Sequence, residues 1–243
     1  MQQLSADEKE SMKTILITGA NRGIGLEFCK QYARDGWRIL ACTRYPERSG
    51  ALNTLAASHW EQVTAYALDV GDHAQIERLA QSLSGESIDL LINNAGIYTT
   101  SPAGDFGNAD YEAWMRALRI NTLAPLKMVQ TFMPQIIRSS QKTTVTISSK
   151  MGSIADNTSG GSYIYRKSKA AVNMIVKTLA IDLKSAGIIS VALHPGWVKT
   201  DMGNANALIS TTESVTGMRN VISHLALADS GKFIAYNGRV IPW

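Results

Sequence analysis

An apolar run that leads directly into three closely spaced glycines restricts the fold more than any other feature of the sequence. Residues 14–17 read Thr-Ile-Leu-Ile, and residues 18–25 continue as Thr-Gly-Ala-Asn-Arg-Gly-Ile-Gly. This order predicts a β-strand, a glycine turn and the N-terminus of a helix. Glycine suits such a turn because it allows positive φ and leaves the backbone open to close approach. The unpaired N–H groups of a helix N-terminus bind anions, so the segment is a candidate phosphate cradle.

The spacing of the glycines distinguishes this turn from the familiar dinucleotide fingerprint. Gly19, Gly23 and Gly25 follow G-x-x-x-G-x-G rather than G-x-G-x-x-G, although both patterns meet the same physical demands. The alternative is a tight turn that binds no ligand. If the cradle holds a pyrophosphate, the candidate contact residues are Gly19, Asn21, Arg22, Gly23, Ile24 and Gly25.

Short β-rich runs alternate with helical patterns along the whole chain. The alternation predicts an α/β fold with a single doubly wound parallel sheet (Rossmann fold) and helices on both faces. A chain of 243 residues can bury one large core, and no linker divides it. We therefore expect one domain over residues 12–243 and a disordered extension over residues 1–11. The strands are expected at 14–18, 37–43, 63–68, 89–92, 143–148, 188–193 and 232–235.

Three other segments carry specific expectations. Two long helices are predicted at about 108–139 and 161–186, and Pro125 should kink or interrupt the first because proline has no N–H to donate. Residues 201–213 are small and polar and follow a strand edge. They are expected to form either a mobile lid or a plain connecting loop.

Composition argues against several functional classes. The formal net charge is +4, but the 24 basic residues are interleaved with 20 acidic ones, which argues against a nucleic-acid partner. No apolar run reaches the roughly 18 residues of a membrane span, and the N-terminus lacks the regions of a signal peptide. Cys29 and Cys42 are expected to be reduced core thiols, with no disulfide and no metal site. We expect a cytoplasmic protein without a membrane partner.

The end of the second strand bears on the choice of nucleotide. A nicotinamide-binding fold recognises the adenosine ribose there, with an acid for a free 2′-hydroxyl or a base for a 2′-phosphate. Thr43 stands about where the acid would be, and Arg44 follows with a planar donor fork. With Arg22 as a second charge, NADPH is expected in preference to NADH, unless both arginines are ordinary surface residues. Asp69 and Val70 are candidates for the adenine pocket, although Asp69 could instead cap a helix.

A tyrosine and a lysine four residues apart form the candidate reaction centre. On a helix, Tyr165 and Lys169 would lie one turn apart on the same face. A cation near the phenol favours the phenolate, so Tyr165 could exchange a proton with a carbonyl or an alcohol. Tyr163 and Lys167 have the same spacing, but two residues are about 200° of helix, so both tyrosines cannot face one site. The spacing alone does not decide between the two pairs.

Taken together, these motifs resemble those of the short-chain dehydrogenase/reductase family. The resemblance covers residues 13–243 in the family order. Its motifs are the glycine turn at 18–25, Asn-Asn-Ala-Gly at 93–96, a serine that ends the fifth strand, Tyr165 to Lys169 with two alanines after it, and Pro-Gly at 195–196. Segments at 149–152, 165–169, 195–202 and 238–243 are similar to the subgroup of sniffer carbonyl reductases and bacterial C-factor proteins.

The resemblance implies four catalytic residues. Tyr165 would be the acid/base, and Lys169 would lower its pKa and bind the nicotinamide ribose. Ser149 would bind the substrate oxygen, with Ser148 as an adjacent rival. Asn121 would position a water that relays protons toward Lys169. Simpler roles remain open, because Asn121 could satisfy helix backbone groups and Ser149 could cap a helix.

The resemblance also implies the substrate and the assembly. The substrate would be an aldehyde or ketone, or a secondary alcohol in reverse, and the chain would form a homodimer or homotetramer. The alternative is a signalling or scaffolding protein that binds nucleotide with little turnover. Further cofactor contacts are expected from Asn93, Ala95, Gly96, Pro195, Gly196, Val198 and Thr200. An apolar substrate wall, or simply core, is expected from Tyr98, Met151, Tyr163, Trp197 and Met202.

Overall fold

Seven parallel strands form one sheet in the computed structural model, which describes residues 12–99, 106–204 and 206–243. The strands are β1 (Thr14–Thr18), β2 (Arg38–Thr43), β3 (Val63–Ala67), β4 (Leu90–Asn93), β5 (Thr143–Ile147), β6 (Ile189–His194) and β7 (Phe233–Ala235). Their spatial order is β3-β2-β1-β4-β5-β6-β7. All seven expected strands are present, and no boundary differs by more than one residue.

Helices cover both faces of the sheet, which confirms the doubly wound fold. The α-helices of the described residues are α1 (Gly23–Arg34), α2 (Gly50–Ser58), α3 (His73–Ser82), α4 (Tyr111–Leu118), α5 (Ala124–Arg138), α6 (Tyr163–Asp182) and α7 (Thr211–Ser223). Side chains of α1, α2 and α7 pack on the face that carries Ile15 and Ile17. Side chains of α3, α5 and α6 pack on the opposite face, with Leu16. Successive side chains of a strand point to opposite faces of the sheet. The fully buried strand β1 therefore contributes side chains to both hydrophobic cores.

The central strand β1 marks the point where the order of the strands reverses. It pairs with β2 on one side and with β4 on the other. The chain builds outward to β3 and then returns across β1 to begin the second half of the sheet. In such folds the loops after the two central strands diverge and leave a crevice at their carboxyl ends. The glycine turn after β1 and the Asn-Asn-Ala-Gly turn after β4 face each other across this crevice.

The first long helix, expected over about 108–139, is interrupted just before Pro125, where the sequence predicted a kink or interruption. Helices α4 and α5 are joined by a π-helical segment, Arg119–Leu123. The chain therefore stays helical between them but makes one wider turn. Pro125 is the second residue of α5 and has no N–H to offer the carbonyl of Asn121, which lies four residues earlier. The second long helix, α6, is shorter than expected and is followed by a 3-10 turn at Lys184–Ala186.

The expected lid or loop at 201–213 forms part of a hydrogen-bonded connection. The N–H of Leu208 donates to the carbonyl of Trp197 at 2.9 Å, and the N–H of Lys199 donates to the carbonyl of Ile209 at 2.9 Å. Helix α7 begins at Thr211, so the last three residues of the segment are helical. These bonds favour a connecting loop. Residue 205 and the expected extension over residues 1–11 lie outside the described residues.

Candidate active site

A cavity of about 760 Å³ occupies the crevice between β1 and β4. It extends from the glycine turn, past the end of β2, to the first turns of helix α6. Of the residues proposed from sequence, those that line it are Gly19, Asn21, Arg22, Gly23, Ile24, Gly25, Arg44, Asp69, Val70, Ala95, Gly96, Tyr165, Lys169, Pro195 and Thr200. One cavity therefore brings together the phosphate cradle and the tyrosine–lysine pair.

The glycine turn after β1 is shaped by backbone contacts that no side chain would fit. Gly19 has a φ of +67°, and Gly23 has a φ of +54°. A Cβ at Gly25 would lie 2.2 Å from the carbonyl oxygen of Gly19, so helix α1 begins directly against the turn. The Asn94 amide donates to the carbonyls of Thr18 and Gly19 at 2.9 and 3.1 Å and holds the turn from the opposite side. Asn94 was not singled out from sequence, although it lies within the quoted motif.

Two consecutive asparagines after β4 point in different directions. Asn93 was expected to contact the cofactor, but its side chain is buried away from the cavity and donates to the carbonyl of Pro125 at 3.4 Å. Successive side chains of a strand alternate between its faces, so Asn94 reaches the glycine turn while Asn93 does not. The backbone N–H groups of Asn94 and Ala95 both donate to the Thr18 hydroxyl at 3.0 Å. The motif thus ties β4 to β1 at the cavity.

The loop after β6 also departs in part from expectation. Gly196 and Val198 are not among the residues that line the cavity. Gly196 has a φ of +84° and packs against Tyr236, while Val198 is buried and pairs with Ile209. Pro195 and Thr200 do line the cavity, on either side of them. The two non-lining residues shape the loop that presents their neighbours.

Cationic side chains surround the end of the cavity near β2. Arg44 and Arg48 flank the ring of Tyr45, with guanidinium carbons 5.9 and 5.3 Å from its centroid. Arg22 forms an ion pair with Asp201, which joins the glycine turn to the loop after β6. Sequence reasoning did not identify Arg48, Lys30 or Lys199, which also line the cavity. Only their charge marked them, and that did not distinguish them from other surface residues.

Asp69, the first residue of the proposed adenine pair, is not a helix cap. Its carboxylate accepts a hydrogen bond from the N–H of Gly71 at 2.8 Å. The cap of helix α3 is Asp72, which accepts from the N–H groups of Ala74 and Gln75 at 3.0 and 3.2 Å. Asp69 therefore shapes a turn at the wall of the cavity.

Helix α6 presents Tyr165 and Lys169 to the cavity and directs the competing pair elsewhere. Both Tyr165 and Lys169 are buried, and the Lys169 ammonium lies 5.7 Å from the centroid of the Tyr165 ring. Tyr163 and Lys167 are exposed, and the Lys167 ammonium sits 4.1 Å from the centroid of the Trp114 ring. The structure thus distinguishes two pairs that sequence spacing left equivalent.

The expected lowering of the Tyr165 pKa is not found in this geometry. Burial raises the pKa of Tyr165 to about 12, a hydrogen bond with Ser149 opposes that rise, and the nearby Tyr98 adds to it. Lys169 donates to the carbonyl of Ile147 at 2.8 Å, and burial lowers its pKa to about 8. Desolvation outweighs the expected attraction between cation and phenolate. Tyr165 is therefore a protonated phenol at neutral pH.

The two adjacent serines after β5 have separate roles. Ser149 caps the 3-10 turn Lys150–Gly152, where its hydroxyl accepts from the N–H of Met151 at 3.2 Å. Its side chain also interacts with Tyr165 and opposes the rise in the pKa of that phenol, so capping does not compete with a place beside Tyr165. The Ser148 hydroxyl instead donates to the side-chain oxygen of Asn173 at 2.6 Å. Ser148 lines the cavity, whereas Ser149 does not line it but interacts with Tyr165.

Asn121 lies in the π-helical segment and is engaged by the protein. Its amide donates to the carbonyl of Ile97 at 2.9 Å and to the hydroxyl of Ser168 at 3.0 Å, and its oxygen accepts from the N–H of Ile97 at 2.8 Å. A Cβ at Gly96 would lie 3.3 Å from the Asn121 oxygen and 3.7 Å from the Lys169 ammonium. Asn121 and Lys169 therefore both lie near Gly96, but Asn121 does not line the cavity, and the expected water relay stays a prediction.

Of the residues expected in the substrate wall, Tyr98 contacts Tyr165 and Met202 lines the cavity, whereas Met151, Tyr163 and Trp197 do not line it. The ring of Tyr98 meets the ring of Tyr165 edge-on, with centroids 4.7 Å apart, and its hydroxyl lies 3.3 Å from that of Ser162. Trp197 is exposed and donates its indole N–H to the carbonyl of Gly203 at 2.7 Å. Met202 lines the cavity directly. Tyr98 and Met202 therefore fit the expected substrate wall, while Tyr163 faces away with Lys167.

The described residues offer neither a cluster of metal ligands nor a membrane-spanning helix. Across residues 12–99, 106–204 and 206–243, no three His, Cys, Asp or Glu side chains are grouped as they would be around a metal ion. No helix in that part of the chain combines the length and the apolar character that a membrane span needs.

Comparisons with known proteins point to a single family. The family model for the short chain dehydrogenases matches residues 13–208. The C-signal protein of Myxococcus xanthus is 42% identical over 156 residues, which cover 64% of this chain and 93% of that protein. The NADPH-bound carbonyl reductase from chicken fatty liver is 36% identical with a TM-score of 0.88, covering 96% of this chain and 99% of that one. The carbonyl reductase Sniffer of D. melanogaster is 30% identical with a TM-score of 0.90, covering 96% and 100%.

The family expected from the sequence motifs is therefore confirmed. The fold, the order of the motifs and the matches over most of the chain agree. This protein belongs to the short-chain dehydrogenase/reductase family of oxidoreductases.

Proposed function

We propose that this protein is a reductase that transfers hydride from NADPH to an aldehyde or ketone, and that oxidises a secondary alcohol in the reverse direction. One observation carries the proposal: a single cavity has the glycine turn at one end and Tyr165, with Ser149 beside it, at the other. A dinucleotide has its phosphates and its reactive ring at opposite ends. The two ends of the cavity match that division.

The shape of the cradle is what makes a dinucleotide fit. A Cβ at Gly25 would lie 2.2 Å from the carbonyl oxygen of Gly19, and a Cβ at Gly19 would lie 3.0 Å from the Cα of Ala95, so the turn is packed too closely for side chains at these positions. The pyrophosphate would lie on the N-terminus of α1, and Arg44 would bind the 2′-phosphate. When bound, NADPH supplies the hydride. Lys169 and Thr200 would hold its nicotinamide half at the Tyr165 end.

Tyr165 would supply the proton in the reduction. Because burial raises its pKa to about 12, the phenol is protonated at neutral pH and can donate to the carbonyl oxygen of the substrate. The Ser149 hydroxyl would bind the same oxygen and orient it. Lys169 would assist as a buried ammonium close to the phenol. Tyr98 and Met202 would contact the apolar part of the substrate.

The Tyr165→Phe variant tests the reaction. It removes the proton donor but keeps the ring that packs against Tyr98, so NADPH binding should stay within about twofold while kcat falls about 100-fold or more. The readouts are NADPH fluorescence and carbonyl-dependent NADPH oxidation over a panel of carbonyl compounds. An unchanged oxidation rate would refute the role of Tyr165.

The preference for NADPH has a separate test. Charge reversal by Arg44→Asp should lower the ratio of kcat/KM for NADPH to that for NADH by about tenfold or more, because charge-assisted bonds to phosphate are lost. Arg48→Asp should have a similar but smaller effect if both arginines share the phosphate. If the ratio is unchanged in both variants, neither Arg44 nor Arg48 binds the 2′-phosphate, and both are ordinary surface residues.

A second candidate function is favoured by the relationship to C-signal. On this alternative the chain binds nucleotide and acts in signalling or as a scaffold, with little required turnover. The buried Tyr165 and Lys169 argue for catalysis, since a binding module has no need of a desolvated phenol and ammonium in its site.

We also propose that the protein acts in the cytoplasm, where the buried free thiols Cys29 and Cys42 would stay reduced.

A further inference from the structure

We infer that Asn173 is a positioning residue that fixes Ser149 opposite Tyr165, an inference that rests on the proposed function. Asn173 lies on α6 and is 3% exposed. It follows Lys169 by four residues and Tyr165 by eight, so the three side chains share one face of the helix. It is not among the residues that line the cavity. Any effect on the reaction therefore passes through its neighbours.

The side chain of Asn173 holds the Ser149 segment on both sides. Its oxygen accepts a hydrogen bond from the Ser148 hydroxyl at 2.6 Å, one residue before Ser149. Its nitrogen donates to the carbonyl of Gly152 at 3.3 Å, three residues after Ser149. A single buried amide thus spans the turn that carries Ser149. The turn cannot shift along the helix without breaking one of the two bonds.

Close packing makes the attachment direct. A Cβ at Gly152 would lie 2.7 Å from the backbone carbon of Lys169 and 2.8 Å from its Cβ. The turn is therefore pressed against the helical residue next to the reaction centre, and the Asn173 amide fixes its register there. The Ser149 hydroxyl and the Tyr165 phenol would both bind the substrate oxygen. Their relative position would set the geometry of proton transfer.

A double-mutant cycle separates positioning from general stability. We expect Asn173→Ala to lower kcat for carbonyl reduction by about tenfold to 100-fold, because a misplacement of about 1 Å can cost two orders of magnitude. The dissociation constant for NADPH should stay within about twofold. In the Ser149→Ala background, Asn173→Ala should have almost no further effect on kcat, since the residue that it positions is absent.

Two further variants keep the test decisive. Ser148→Ala removes only the hydrogen bond between Ser148 and Asn173, and it replaces Asn173→Ala if that variant does not fold. Ser148→Ala should lower kcat in the wild-type background but not in the Ser149→Ala background. Gln135→Ala is the matched control, because Gln135 is also a buried amide that bonds two backbone carbonyls, those of Ala80 and Leu83, away from the cavity. It should lower the melting temperature without lowering kcat.

The outcomes distinguish this inference from the proposed function. If Ser149→Ala keeps full kcat, the role of Ser149 in the proposed function fails, and the positioning role of Asn173 falls with it. If Ser149→Ala loses activity and the Asn173→Ala loss multiplies with it, only the positioning role is overturned. A loss of kcat in Gln135→Ala as large as that in Asn173→Ala would also overturn it, because buried amides would then act through stability alone.

Discussion

At the scale of single residues, the missing side chains of the glycines and the burial of two ionisable side chains set the properties of the cavity. Gly25 leaves no room for a Cβ against Gly19, which permits α1 to begin at the turn. Tyr165 and Lys169 lose their contact with water, and each pKa moves toward the neutral form of its side chain. The family resemblance singled out Tyr165 and Lys169, because spacing alone left Tyr163 and Lys167 as an equal pair. The directions of the pKa shifts depend on burial, which spacing does not contain.

Adding one methyl group at Gly25 should destroy the cradle. Gly25→Ala should weaken NADPH binding by about tenfold or more and lower the melting temperature, because its Cβ would meet the Gly19 carbonyl at 2.2 Å. Gly50→Ala is the control, since a Cβ at Gly50 meets nothing within 4 Å and alanine is the better helix former. Fluorescence titration and thermal unfolding of both variants give the comparison. Normal binding by Gly25→Ala would contradict the cradle.

The buried lysine predicts a pH limit for the reaction. Because the pKa of Lys169 is lowered to about 8, the ammonium is present below that pH and is lost above it. The kcat/KM for carbonyl reduction should therefore fall above about pH 8. Arginine stays protonated to beyond about pH 12, so in Lys169→Arg the rate at its optimum will be lower but this fall should move to higher pH. If the fall in kcat/KM occurs at the same pH in Lys169→Arg, the group that titrates is not Lys169.

At the scale of elements, the strands were easier to predict than the connections. Each strand is a short apolar run bounded by turn residues, and that signal is local. Pro125 is a local signal for an interruption of the first long helix, but the π-helical form of Arg119–Leu123 also involves contacts of Asn121 with Ile97 and Ser168, which the sequence does not show. The opposite directions of Asn93 and Asn94 likewise follow from strand pairing. The expected strands were confirmed, and the helix expected over about 108–139 is interrupted at Arg119–Leu123, next to Pro125, where a kink or interruption was predicted.

The ion pair between two loops gives a prediction about cofactor affinity. Arg22 and Asp201 are both exposed, and exposed pairs contribute about 0.2–1 kcal/mol. Asp201→Asn frees Arg22 and should strengthen NADPH binding by about two- to fivefold at low salt, less at high salt. Asp229→Asn is the control, since Asp229 pairs with Lys232 and neither residue lines the cavity. Weaker binding in Asp201→Asn would show that the pair supports the site.

At the scale of the whole molecule, the fold was predictable because local patterns and the sheet agree. The alternation of strands and helices along the chain predicted a parallel sheet with both faces covered, whereas the order of the seven strands comes from the structure. The cavity was placed at the reversal point by the same rule. Of the cationic residues that line the cavity, only Arg22, Arg44 and Lys169 were predicted. Lys30, Arg48 and Lys199 were not, because only the folded structure brings them to the cavity.

The outer faces of the long helices predict assembly with a second copy of the chain. Met115 on α4, Ile137 on α5, and Met174 and Ile181 on α6 are exposed apolar side chains. Burying them between copies is favourable, so we expect a homodimer or homotetramer. Light scattering after size exclusion should give two or four times the chain mass of 26.4 kDa. Met174→Lys should shift the mass toward one chain, and a wild-type monomer would refute the expectation.

The bonds from Asn94 to the glycine turn have a consequence for the kinetics of nucleotide binding. Two carbonyls of the turn, at Thr18 and Gly19, are held by the same amide, so the cradle has its final shape before any ligand arrives. A preorganised receptor loses little conformational entropy on binding, so association needs no slow rearrangement. Stopped-flow traces of NADPH binding should then be single exponentials whose rate rises linearly with concentration. Loosening the turn with Asn94→Ala should make that rate level off.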